Sequence, residues 1–174
     1  MKKLLLTAVC LVLIFSSCEK KNDSDVVPAN TISATIDGNQ INFNTGVEAI
    51  YSDSSKKVSL FGFAGLGSKA PVININVSSG KFIATGTYTS VAGSAFALAN
   101  PNIIYTDTGA GEDAADIFVT DGSGTHPTIV NITSASSTNI QGTFKGLVVR
   151  GTGLQSATIA NGKFNVNFQP VALP

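Results

Sequence analysis

The chain has 174 residues, only 13% of them charged and no formal net charge, with two cysteines, one histidine and no tryptophan. That balance excludes the concentrated basic face of a nucleic-acid binder, and so few His and Cys leave no zinc-ligand set. Sparse charge with many glycines is how an all-β extracellular domain reads.

Lys2 and Lys3 head an apolar stretch from Leu4 to Phe15, followed by Ser16, Ser17 and Cys18 and then by the polar run Glu19-Lys20-Lys21-Asn22-Asp23-Ser24-Asp25. The stretch falls short of the ~20 apolar residues that span a bilayer. Its basic head, small residues and polar exit predict a signal peptide over 1–17, removed before Cys18. Cys10 would leave with that peptide, so Cys18 becomes the sole thiol and no internal disulfide can form. Phe15-Ser16-Ser17-Cys18 resembles a lipobox, with Phe15 where an aliphatic residue usually stands. Cys18 is therefore expected to carry acyl chains that hold the protein on a membrane, each buried CH₂ contributing ~0.8 kcal/mol. Losing Lys2 and Lys3 leaves nine basic against eleven acidic residues.

Residues 18–30 read as a lipidated tether, charged and small with Pro28 near its end and nothing to bury. From 31 to 174 a single all-β domain is expected. Ile32, Ala34 and Ile36 alternate with polar residues, Asp37-Gly38 turns the chain, and Ile41 and Phe43 continue the period of two. Val47–Tyr51 and Val58–Ala64 pair across Ser52–Lys57. Ile73, Ile75 and Val77 form one face of the next strand, with Asn74 and Asn76 on the other. Gly86–Thr89, Ala95–Ala99, Ile103–Thr106, Ile117–Val119 and Thr128–Thr133 follow as short extended pieces. Ile140–Val149 reads as a long strand whose glycines suggest bulges. Ala157–Ala160 and Lys163–Phe168 are expected to form a closing hairpin through Asn161-Gly162. About ten or more such strands predict an antiparallel meander, closed as a sandwich or a flattened barrel.

Four segments together resemble a family of Bacteroidota lipoproteins of unknown function. They are the hairpin at 31–39, Gly86-Thr87-Tyr88, the strand at 140–144 and Ile159-Ala160-Asn161-Gly162-Lys163-Phe164. The resemblance spans most of 31–168 and implies a β-sandwich domain at the outer membrane, facing the periplasm or the cell surface. The run from Glu19 to Asp25 loosely resembles the surface-export signals of such lipoproteins. No site residue carries over.

Residue chemistry offers three constellations, and each reads better as structure. His126 with Asp121 and Ser123 holds the members of a hydrolase triad, but in one polar loop without a nucleophile elbow. Ser54-Ser55-Lys56-Lys57 contains Ser-x-x-Lys in a turn rather than on a buried helix. Asp107, Glu112, Asp113 and Asp116 share a Gly-rich loop that fails the EF-hand pattern. No catalytic, cofactor or metal residue is therefore expected. Without tryptophan, and with Tyr51, Tyr88 and Tyr105 as the only tyrosines, sugar-stacking platforms are scarce, and the ten phenylalanines read mostly as core. The expected role is a non-enzymatic binding or structural accessory module with a glycan or protein partner. A glycan- or small-ligand carrier is the alternative, with an envelope hydrolase behind it. Intact-mass measurement of the mature protein should give a chain beginning at acylated Cys18, and Cys18→Ser should move it from the membrane to the soluble fraction.

Overall fold

A computed structural model describes residues 27–67, 69–80, 83–92, 99–107, 117–150 and 155–169. The expected signal peptide, Cys18, most of the expected tether, nearly all of the piece expected at 95–99, and the acidic loop from 108 to 116 lie outside the described residues. Within them the chain forms eleven strands and no helix: β1 (Thr31–Ile36), β2 (Asn39–Phe43), β3 (Thr45–Ser52), β4 (Lys57–Phe63), β5 (Val72–Ser78), β6 (Gly86–Thr89), β7 (Asn102–Thr106), β8 (Ile117–Thr120), β9 (Ile129–Ala135), β10 (Asn139–Arg150) and β11 (Ser156–Asn167).

All belong to one antiparallel sheet. Its main path runs β2-β1-β11-β10-β8-β7-β5-β4-β3, with β9 and β6 branching from β10. The sheet curls into a nearly closed barrel. Ala49 of β3 meets Phe168, just beyond β11, in an isolated parallel bridge, and the Gln169 N–H donates to the Ala49 carbonyl at 3.0 Å. Sequence neighbours pair in most places, as a meander requires. The exceptions are β5 with β7, β8 with β10, β6 with β9, and β1 with β11.

Period-two patterning explains the core directly. In β1 Ile32, Ala34 and Ile36 are buried, in β4 Val58 and Leu60, in β5 Ile73, Ile75 and Val77, each alternating with half-exposed residues. Phe43, Phe144 and Phe164 fill the interior. Phe61 and Phe63 do not: they stand on the outward side of β4, packed edge to face at 4.8 Å.

Two Gly-containing turn signals had different fates. Asp37 and Gly38 both take positive φ (47° and 85°), as a type I′ turn needs, and the chain reverses between β1 and β2. Asn161 also takes positive φ, 51°, but Gly162 does not. No hairpin forms there, and β11 continues through it as one twelve-residue strand. The expected closing hairpin is corrected to a bulge. One extra residue shifts register against β1 between Ser33 and Thr35 and against β10 between Phe144 and Gly146. Inward positions accordingly change from Ala157 and Ile159 to Gly162, Phe164 and Val166. A parity switch in the sequence fits a two-residue turn and a one-residue insertion equally well. The ladders on both sides of β11 select the insertion.

Glycines across the β10–β11 ladder make room for rings. Gly142 stands opposite Phe164, and Gly162 opposite Phe144. A Cβ on Gly142 would lie 2.2 Å from the Asn131 carbonyl oxygen and 2.5 Å from the Phe164 ring; one on Gly162 would lie 2.6 Å from the Phe144 ring. The two rings sit 6.4 Å apart, tilted by 31°.

Beyond Gly146 the sheet forks. The first half of β10 pairs with β9, the last three residues with β8. A buried hydroxyl chain bridges the split. Thr120 Oγ1 accepts from the Ile103 N–H at 2.7 Å and from Thr128 Oγ1 at 3.2 Å, and the Thr128 N–H donates to Ser90 Oγ at 2.9 Å. These bonds satisfy polar groups that no ladder serves, where a lost partner costs about 1–3 kcal/mol. Gly142→Ala should lower unfolding free energy by about 1–3 kcal/mol through overpacking. Gly65→Ala, whose Cβ would come no nearer than 4.0 Å to Ala70, should stay within about 0.5 kcal/mol. Urea unfolding of both variants measures the difference.

Candidate functional site

Asp121, Ser123 and His126 do meet, in the loop after β8. The carboxylate accepts from the Ser123 N–H at 3.0 Å and from the Ser123 hydroxyl at 2.6 Å. Ser123 Oγ in turn accepts from the Thr125 N–H at 3.3 Å. His126 Nδ1 stands 3.9 Å from the Asp121 carboxylate, with the imidazole largely exposed. The serine hydrogen thus points to the carboxylate instead of the imidazole, the reverse of what nucleophile activation needs. This is an Asx-type turn, in which a short carboxylate organises the backbone N–H two residues on. Ser123, first through its hydroxyl and then its N–H, together with His126, holds the Asp121 carboxyl below its ordinary range.

Ser54 and Lys57 likewise sit in and after the β3–β4 turn. Ser54 Oγ shares a hydrogen bond with Ser52 Oγ at 3.2 Å, while the neighbouring Lys56 pairs with Asp53. The hydrogen bond from Lys56 lowers the Asp53 carboxyl and raises the ammonium, each holding the other charged. Of the acidic-loop residues only Asp107 is described, at the end of β7. Among the described residues no three His, Cys, Asp or Glu cluster closely enough to hold a metal ion.

What composition did not reveal are two recesses. The first, about 530 Å³, opens at the barrel mouth where β3 and β4 turn, β9 joins β10, and β11 ends. Tyr51, Val58, Ile83, Ile140 and Phe168 give it apolar walls, and the Ala135–Thr138 turn with Gln169 forms a hydroxyl and amide rim. Its volume lies in the range of small-molecule sites. The signal for it in the sequence is faint: Tyr51 and Phe168 lie at or past the ends of paired strands, where side chains have no facing layer. Deeper along the axis the interior is filled by Phe43, Phe164, Leu60 and Ile32.

The second recess, about 570 Å³, lies on the outer face of β2, β1 and β11. Gln40, Asn42, Asn44, Asn161 and Lys163 line it, with Val27 and Pro28 as one wall. Outward positions of period-two strands supply the amides. The wall is fixed because Asn165 Nδ2 donates to the Val27 carbonyl at 2.8 Å and the Asn167 N–H to Asn30 Oδ1 at 3.0 Å. Residues 27–30, expected within the tether, are thus tied to the domain.

Among the described residues, Tyr105 is the group whose titration is most displaced. Its ring is buried, edge-on to Phe43 at 6.5 Å and tilted against Phe118 at 6.0 Å. Burial, then the charges of Asp107 and Asp37, push its hydroxyl up from 10.0 to about 12. Loss of solvation disfavours the phenolate.

Comparison with protein-family models, curated proteins and solved structures found no match for this chain.

A phenol that ionises near 10.0 when unfolded and near 12 when folded adds stability below pH 10 that disappears as pH rises to about 12. Urea midpoints of wild type and Tyr105→Phe, compared from pH 9 to 12, should show a steeper alkaline loss in the wild type.

Proposed function

We propose that this protein is an envelope-anchored, non-enzymatic binding module, held on a membrane by acyl chains on Cys18 and taking a small apolar ligand in the recess at its barrel mouth. The observation that carries this reading is the recess itself. Its volume of about 530 Å³, walled mainly by apolar side chains, is left unfilled by the described residues, although large side chains pack the rest of the interior they form. Apolar surface left in a concave site is a standing driving force for a ligand that covers it.

A second reading, glycan binding, is favoured by the outer cleft. Four amide side chains and Lys163 converge there, and amides offer both donors and acceptors to sugar hydroxyls.

The ligand seat is tested with the uncharged dye N-phenyl-1-naphthylamine. Saturable fluorescence enhancement is expected with the wild type. Ala135→Trp, which puts a large ring into the mouth from an exposed strand end, should abolish it; Ser33→Trp, on the outer cleft, should not. Enhancement unaffected by Ala135→Trp places the dye elsewhere and removes the reading. A glycan array tests the second reading, with Asn42→Ala and Asn44→Ala as the discriminating variants.

A further inference from the structure

We infer that the mouth recess takes the alkyl chain of an uncharged amphiphile drawn from the membrane side. This rests on the binding-module reading above and names the ligand class for that same site.

Three observations converge. The first is charge. Among the described lining residues none is ionised at neutral pH. Asp53 and Lys56, in the β3–β4 turn beyond Tyr51, pair with each other, and the Tyr51 hydroxyl turns toward Asp53 at 3.4 Å. A carboxylate or phosphate entering the mouth would shed water without gaining a cation, which is strongly unfavourable.

The second is the rim. The Ser136 hydroxyl is taken up by its own turn, accepting from the Asn139 N–H at 3.0 Å and donating to the Asn139 carbonyl at 3.2 Å. The Ser137 hydroxyl and the Gln169 amide stand beside it at the opening. Hydroxyl and amide groups suit an alcohol, ester or glycerol end.

The third is placement. Val27, the first described residue, bonds to Asn165, three positions before Phe168 on the wall of the recess. Nine residue steps separate it from Cys18, a reach of at most ~30 Å when extended. Acyl chains on Cys18 are therefore within tether reach of the mouth, and the bilayer that holds them is a supply of apolar chains. Two sources share this chemistry, the protein's own acyl group and a free membrane lipid.

The test uses Cys18→Ser protein, with N-phenyl-1-naphthylamine bound, and ¹³C-methyl signals of Ile83 and Ile140 as a second readout. Monodecanoylglycerol should displace the dye and shift both methyl signals, with decanoate at least tenfold weaker. Equal or tighter binding of decanoate overturns the uncharged class. If the dye binds but only a compact ring such as adamantanol displaces it, the alkyl assignment falls while the binding reading stands. Failure of the dye to bind removes both. The acylated chain then separates the sources. Bound-like methyl shifts in lipid-free amphipathic polymer identify its own acyl group; shifts that need nanodiscs carrying diacylglycerol, and are absent with phospholipid alone, identify an uncharged bilayer lipid. Shifts in neither overturn supply from the membrane.

Discussion

The reciprocal packing of Gly142 under Phe164 and Gly162 under Phe144 is the contact on which the barrel depends. β10 and β11 are the two longest strands and make the longest continuous ladder. Every other strand reaches the sheet through one of them. Without a Cβ at either glycine, each ring packs directly against the backbone of the facing strand. Strand separation is thereby kept while two large apolar side chains are buried, each contributing about 1.5–3 kcal/mol. No disulfide is available to the described residues, so packing of this kind has to hold the strands together.

The same pair of strands also sets the shape. An extra residue at Asn161 bends β11 and increases local twist, as bulges do. Opposite it, Gly146 lets Thr128 approach β10, so that β8 and β9 can leave the same strand in different directions. The fork would strand buried backbone groups in an apolar setting. Thr120, Thr128 and Ser90 supply the missing partners. Bulge, fork and hydroxyl chain together turn a long meander into a nearly closed barrel.

Closure is tight in the middle and loose at one mouth. Large side chains fill the centre, whereas near the mouth β3 meets the end of β11 through a single bridge and one further backbone bond. The apolar recess lies there, and β1 begins at the same end. Catalytic geometry does not arise in the loop after β8, because the Ser123 hydroxyl is committed to Asp121. The loop's three functional-looking residues form a turn, with the imidazole left in water.

Much of this was legible from residue order alone. Alternation of Ile, Val and Phe with Ser, Thr and Asn over short runs defines strands whatever surrounds them, since side chains on a strand must alternate faces. Asp37-Gly38 likewise specifies its turn locally, because both residues tolerate positive φ. Asn161-Gly162 shows the boundary of such local rules. Its residues permit a turn or a bulge, and only neighbours on both flanks, β1 and β10, choose between them. The recess and the amide cleft lie beyond local rules altogether. They are made by residues distant in the chain, from Tyr51 to Gln169 and from Val27 to Lys163, which closure of the sheet brings to one place. Strand identity is a property of period-two patterning; cavities are a property of how a twisted sheet closes, and that is decided by tertiary packing.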